Sequence, residues 1–437
     1  MKTMKVVIPG VLTTVQDGMH GTFSVGTSGD RDFLSIGKAV EALSQGIDGP
    51  VVFELEDGNY NELVSIPPVT GSSPRNTITF RSASGKRENV TISYDTYRDP
   101  GSSNYDKRYG VVTFDGVDHC TLQDLTVTTD ATNFPGLVFW RNASDHDSLL
   151  NCVVRAATSK DVAKGSSLVY MYAKNEANRN NNHMTIRDCL LDGGYIGVNM
   201  VGTSYVALPK QRGGTVTGCT LRNQGGKGIF ISCEEDATVT GNTFISDGDT
   251  YSSYNCLDIS DPGGDLTVAG NTMRVDKPAN SVVALYVRGY SMDKVKKGFR
   301  RFYNNEVNMT NVSGPATAIR VNNDIQGMDF VFNTVRMGGT GNATTVYMAA
   351  GMPGGRLAAN IIQNETDGKV FHVQRETYLQ DLAFADNTMF CSNEKFAYIG
   401  ADKTYDEWAE ATGQTGSYLE KTDFLSDNVL EPASAGH

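Results

Sequence analysis

From residue 120 onward, short runs of alternating apolar and polar residues return along the chain. Each closes on Asn or Cys followed by a polar and then an apolar residue: TLQDLTV, LLNCVV, TIRDCLL, TVTGCTL, TVTGNTF, TVAGNTM, RFYNNEV, FVFNTV, LAANII and FADNTM. A period of two marks a strand with one face in a core. Aligned, the runs place Leu125, Cys152, Cys189, Cys219, Asn242, Asn271, Asn305, Asn333, Asn360 and Asn387 in one column, with steps of 27, 37, 30, 23, 29, 34, 28, 27 and 27 residues. Helical repeats hold a fixed period, whereas stacked β coils tolerate loops of variable length. The spacing therefore predicts an all-β solenoid of about a dozen coils, one coil per step. An Asn at a bend satisfies its own backbone, and stacked on an identical neighbour about 4.8 Å away it bonds up and down a ladder. Cys152, Cys189 and Cys219 replace the first rungs with thiols, read as inert and buried.

Between rungs lies a second strand, seen in IGVNM, IFISC, LDIS, LYVR, IRVN, VYMA and FHVQ. Its apolar members, such as Ile229 and Ile231 or Leu257 and Ile259, point inward, so their neighbours define an exposed face. One outward row then reads Tyr170, Gly197, Phe230, Asp258, Tyr286, Arg320, Tyr347 and His372. The next reads Tyr172, Asn199, Ser232, Ser260, Arg288, Asn322, Ala349 and Gln374. Earlier coils are less regular, with short strands in VVFELEDGNY, VSIPPV, NTITFRSA, NVTISY and VVTFDG. The run LSIGKAVEALSQGI, with Ser35 as N-cap and Ile36, Val40 and Leu43 on one side, predicts a helix. A solenoid needs its open end covered, which makes this helix the N-terminal cap.

Composition narrows the function classes. A formal net charge of −12 argues against nucleic acid and anionic membrane as partners, since both reward excess Lys and Arg. No run reaches the roughly 18 apolar residues that would span a bilayer, so membrane insertion is not expected. The start, MKTMKVVIPGVLTTVQDG, carries no export signal. The seven cysteines form neither a CxxC pair nor a Cys/His cluster. A zinc site and a disulfide framework are therefore not indicated. The chain reads as one elongated monomer.

These residues resemble the pectin lyase-like superfamily of right-handed parallel β-helix proteins, and in particular surface proteins of gut-dwelling Bacteroidetes-type bacteria. VGTSGDRDFLSIGKAVEAL followed by GPVVFELEDGNYNELVSIPPVTG looks like that group's entry, a helix and then a first coil with a G-x-Y-x-E phrase. The resemblance covers residues 22–437, and the end at His437 looks like a truncation within it. Residues 1–21 stand outside it, VVIPGVLTTVQDGMHG being similar instead to the opening of biotin-dependent carboxyltransferase subunits, whose other motifs are absent. The resemblance implies an extracellular or cell-surface protein that binds a polysaccharide or other glycan along the exposed sheet. It implies no required cofactor. Polygalacturonase, pectate lyase and pectin methylesterase motifs are all missing, so a poorly marked lyase or hydrolase, or a non-catalytic adhesin or stalk, stays open.

Aromatic faces in the outward rows suit stacking on sugar rings, and Asp, Arg, Asn and His suit hydroxyls and carboxylates. Asp258, Tyr286, Arg288, Arg320 and His372 form the candidate catalytic set, with Tyr170, Phe230, Asn322, Tyr347 and Gln374 as substrate-binding residues. In β-elimination, Arg288 or Arg320 would hold a uronate carboxylate while Tyr286 or His372 acts as base or acid. A glycosidase would need two carboxylates, the nearest pair being Asp258 with Asp261 or Glu234. Glu234, Glu235, Asp236, Asp261 and Asp265 offer hard oxygens for calcium (Ca2+). The run DKVKKGFRR, with Lys294, Lys296, Lys297, Arg300 and Arg301, would form a basic lip. Trp140 and Trp408 read as packing residues, the second in a short helix, TYDEWAEAT.

Overall fold

The computed structural model describes residues 4–8, 11–15, 18–94, 110–157, 161–173, 179–204, 208–247, 253–276, 281–289, 298–426 and 429–432. Three sheets of 13 strands each wrap one core, and within them strands from successive coils pair in parallel. The first sheet runs from Met19–Val25 to Leu382–Ala385, the second from Gly58–Asn61 to Tyr418–Leu419, and the third from Val64–Ile66 to Ala401–Lys403. The edge strand of the first sheet thus begins ahead of residue 22. Near the start, Met4–Ile8 and Val11–Val15 pair antiparallel as a sheet of their own. In the last pairing of the third sheet, Ala397–Ile399 turns back antiparallel on Ala401–Lys403.

The ladder column lies at the tight corner between the first and second sheets. The residue before each rung is left-handed, with φ from 47° at Asn151 to 65° at Gly218. That conformation turns the chain between sheets and aims the rung side chain into the core. Asn242, Asn271, Asn305, Asn333 and Asn360 each donate from Nδ2 to the Oδ1 of the next rung, at 2.9–3.1 Å. Each also donates its backbone N–H to that oxygen. The ladder continues one rung past Asn387, whose N–H donates to Ser417 Oγ at 3.1 Å. At its other end the thiols join it. Cys219 N–H donates to Asn242 Oδ1 at 2.9 Å, and Cys152 N–H to Cys189 Sγ at 3.4 Å. Burial pushes the Cys152 thiol up to about 12, so it stays protonated and unreactive.

Both ends of the core carry a helix. Helix α1, Ile36–Ala42, buries Ile36, Ala39 and Val40, and Ser35 caps it by accepting from Lys38 N–H. The Glu62 carboxylate accepts from Ile36 and Gly37 N–H at 3.0 and 2.8 Å, satisfying two further donors of the first turn. Helix α2, Tyr405–Thr412, opens with a capping box of Thr404 and Glu407. Its Trp408 is fully buried, stacked on Phe371 at 4.2 Å and edge-on to Phe384 at 5.4 Å. This is the short helix expected for TYDEWAEAT, and it lays the indole of Trp408 over the last core layer ahead of the rung at Tyr418–Leu419.

Candidate functional site

Hydrogen-bond register fixes the outward rows of the third sheet. Tyr170 pairs with Asn199, Asn199 with Phe230, Phe230 with Asp258, Asp258 with Tyr286, Tyr286 with Arg320, Arg320 with Tyr347, Tyr347 with His372, and His372 with Tyr398. The first row therefore contains Asn199, not Gly197, and Val201 takes the place expected for Asn199 beside Tyr172. A Cβ on Gly197 would lie 2.9 Å from the core residue Leu221. A slip of two residues preserves the inward and outward alternation, so the pattern alone cannot detect it. Tyr398 extends the row one coil further.

At the centre of the row, Asp258 is 1% exposed. Its Oδ1 accepts from Arg288 at 2.7 Å, and its Oδ2 from Lys227 Nζ at 2.7 Å and Asn255 Nδ2 at 3.2 Å. With both oxygens taken by cations and the amide and the group out of solvent, this carboxylate has no lone pair aimed at a ligand. Asp258 is thus the anchor of an ion-pair cluster. The alternative glycosidase partner Glu234 is also buried, taking hydrogen bonds from Gln211 Nε2 at 2.8 Å and Gly214 N–H at 3.0 Å. Burial pushes its carboxyl up to about 8. Lys227 and Asn255 escaped the sequence reading because each lies three residues from the row residue on its own strand, where no periodicity marks it.

Beyond Asp258 the row becomes a column of rings and guanidinium groups. Lys227 Nζ lies 3.7 Å from the Phe230 ring centre, and Arg288 4.8 Å from that of Tyr286. Arg320 lies between Tyr286 and Tyr347, at 5.4 and 4.9 Å. His372 stacks on Tyr347 at 4.9 Å and on Tyr398 at 4.8 Å. At the other end Phe139 stacks on Tyr170 at 5.1 Å. The expected sugar-stacking platform is absent from Tyr286, Tyr347 and His372, because their faces are covered by their neighbours. What they turn outward is edges. Asn322 Nδ2 donates to Tyr286 Oη at 2.8 Å, Arg320 Nε donates to Asn322 Oδ1 at 3.2 Å, and Gln374 Nε2 donates to Tyr347 Oη at 2.5 Å. Burial, and then the Lys369 ammonium, hold His372 below the usual imidazole value, so it is neutral at pH 7.

The remaining candidates disperse. Glu235 pairs with Arg212 at 3.2 Å, Asp236 accepts from Asp265 N–H, and Asp265 accepts from Phe299 N–H. Among the described residues, no three His, Cys, Asp or Glu side chains converge as a metal would require. The expected calcium ligands are instead spent on separate turns. Lys294, Lys296 and Lys297 fall outside the described residues. Arg300 is no part of a lip, being 2% exposed and donating to the carbonyls of Gly298, Gln326 and Pro262 at 2.9–3.1 Å. Trp140 is fully buried, stacked on Phe114 at 4.9 Å, and packs as expected.

The fold is the right-handed parallel β-helix shared by pectin lyase-like proteins. Among solved structures, the GH136 lacto-N-biosidase from Eubacterium ramulus matches with a TM-score of 0.51 and 12% identity, over 91% of this chain and 68% of that one. The catalytic unit of the thermostable GH87 α-1,3-glucanase from Streptomyces thermodiastaticus gives 0.45 and 14%, over 92% and 70%. PfbA, a surface adhesin of Streptococcus pneumoniae, gives 0.38 and 11%, over 84% and 88%. At such identities the likeness is one of fold. No family model and no curated protein sequence matches the chain.

Proposed function

We propose that the third sheet, from Tyr286 to Tyr398, binds a hydroxyl-rich acidic glycan. The observation that carries this reading is the half-exposed column Tyr286, Arg320, Tyr347, His372 and Tyr398, whose faces are covered and whose hydroxyl, guanidinium and imidazole edges point outward. The column spans four coil steps, roughly 19 Å at the spacing of neighbouring strands. That length accommodates several sugar units, with Arg320 matched to a uronate carboxylate. A polymer of this kind is met outside the cell, which supports reading the protein as secreted or cell-surface. A lacto-N-biosidase of the same fold is in keeping with a carbohydrate ligand.

Two activities share this site. In β-elimination, neutral His372 takes the proton α to the carboxylate, Arg320 neutralises the developing charge, and the bond to the glycosidic oxygen breaks as the double bond forms, a tyrosine hydroxyl giving the departing oxygen its proton. The adhesin reading needs binding alone. It is favoured by the sequestration of Asp258 and Glu234, which leaves neither proposed glycosidase pair free to act. Immobilised polygalacturonate and alginate separate the readings. Retention weakened about tenfold or more by Arg320→Ala supports the site. New absorbance from unsaturated ends selects elimination, and its absence with intact binding selects the adhesin. No retention of the wild-type protein by either polymer overturns the proposal.

A further inference from the structure

The second sheet carries a concavity that the third-sheet site does not use. Five consecutive coils line a groove of about 560 Å³, within the range of small-ligand sites. Its depth has a local cause. Register shifts between Met309 and Val312, and the facing strand ends in Gly338 and Gly339, so side chains are missing where the neighbouring coils carry Thr310 and Glu365. Along its floor Arg274 pairs with Asn308, and Asn308 with Arg336. Ile245, 40% exposed, forms an apolar step beside Arg274.

The charges lining this groove are mixed. Asp247, Asp276 and Glu365 face Arg274 and Arg336, and Lys421 Nζ lies 3.5 Å from Glu365, three carboxylates against three cations. A ligand of net charge is therefore disfavoured. Arg336 is held by Glu365 at 3.1 Å, and Asp276 accepts from Thr310 Oγ1 at 2.9 Å and Asn311 Nδ2 at 2.7 Å. Arg274 is exposed and makes no hydrogen bond or ion pair among the described residues.

We infer that this groove is a binding site for a neutral saccharide, distinct from the acidic-glycan strip and not dependent on it. Neighbouring hydroxyls of a pyranose present donors and acceptors side by side. Carboxylates take the donors, while Arg274 serves the acceptors. The C–H face of the ring covers Ile245.

Isothermal titration of the full chain with cellobiose and with maltose tests this, with a galacturonate dimer as the charged comparison. At least one neutral disaccharide saturates with a dissociation constant of about 1 mM or tighter. Gly338→Val fills the groove where a Cβ meets only Glu365 Oε2 at 3.7 Å, so the fold tolerates it while affinity falls tenfold or more. Arg274→Ala, at an exposed position, lowers it as well. Arg320→Ala leaves neutral-sugar binding unchanged, which separates this site from the third sheet. The inference is overturned if neither disaccharide saturates, if Gly338→Val binds as the parent does, or if the galacturonate dimer binds here more tightly than both.

Discussion

Replacing Asp258 by alanine separates an anchoring carboxylate from a catalytic one. The side chain is 2% exposed and holds Arg288 and Lys227, each at 2.7 Å, with those cations 31% and 23% exposed. Breaking a fully buried pair by removing one partner costs about 3–5 kcal/mol, because the other charge is stranded. Here both stranded cations retain some access to water, so the expected loss is smaller, about 2–3 kcal/mol for Asp258→Ala. Asp258→Asn keeps shape and one acceptor, and should lose about half as much. The double variant with Arg288→Ala should fall short of additivity by about 1 kcal/mol or more. Urea unfolding gives the midpoints. Hydrogen exchange at strands Ser253–Ser260 and Ser281–Arg288 localises the loss, because a solenoid opens in segments. A stability change under about 0.5 kcal/mol for Asp258→Ala would refute the anchoring role. A catalytic carboxylate gives the opposite pattern, with activity lost and stability kept.

The other predictions concern the interior. Asn305→Leu removes two donated and two accepted hydrogen bonds of 2.9–3.1 Å and orphans the Asn271 backbone N–H. It should cost about 4 kcal/mol in the urea midpoint, and Asn305→Cys less, since Cys219 holds a native rung by directing its thiol to the carbonyls of Thr217 and Ile186. Glu234 has a folded value of about 8 against an ordinary 4.5, so the folded state binds the extra proton between those limits. Stability from this group is therefore full below pH 4.5 and falls as pH rises to about 8, by up to about 5 kcal/mol. Denaturation midpoints measured across that window should lose this slope in Glu234→Gln, and an unchanged slope would contradict the assignment.

Much of the architecture was legible in the chain itself. The ladder column from Leu125 to Asn387, the coil count, the capping helix begun by Ser35, and the burial of Trp140 and Trp408 all follow from short-range pattern. Period-two alternation and corner chemistry are properties of a few neighbouring residues, repeated. The candidate rows were legible only in part. Asn199 stands where Gly197 was expected and Val201 where Asn199 was, because inter-strand register belongs to the hydrogen bonds between coils, which sequence alternation leaves free by any even number of residues. The pairing of Asp258 with Lys227 and Arg288 brings together residues 31 and 30 positions away, across adjacent coils. The covering of the Tyr286 and Tyr347 faces by Arg320 likewise depends on stacking between coils. So does the second-sheet groove, which exists because a bulge and two glycines coincide in space. The sequence determined which residues face out. Only the stacking of coils decided what those residues have left to offer, because each outward group is first a neighbour to the rung above and the rung below.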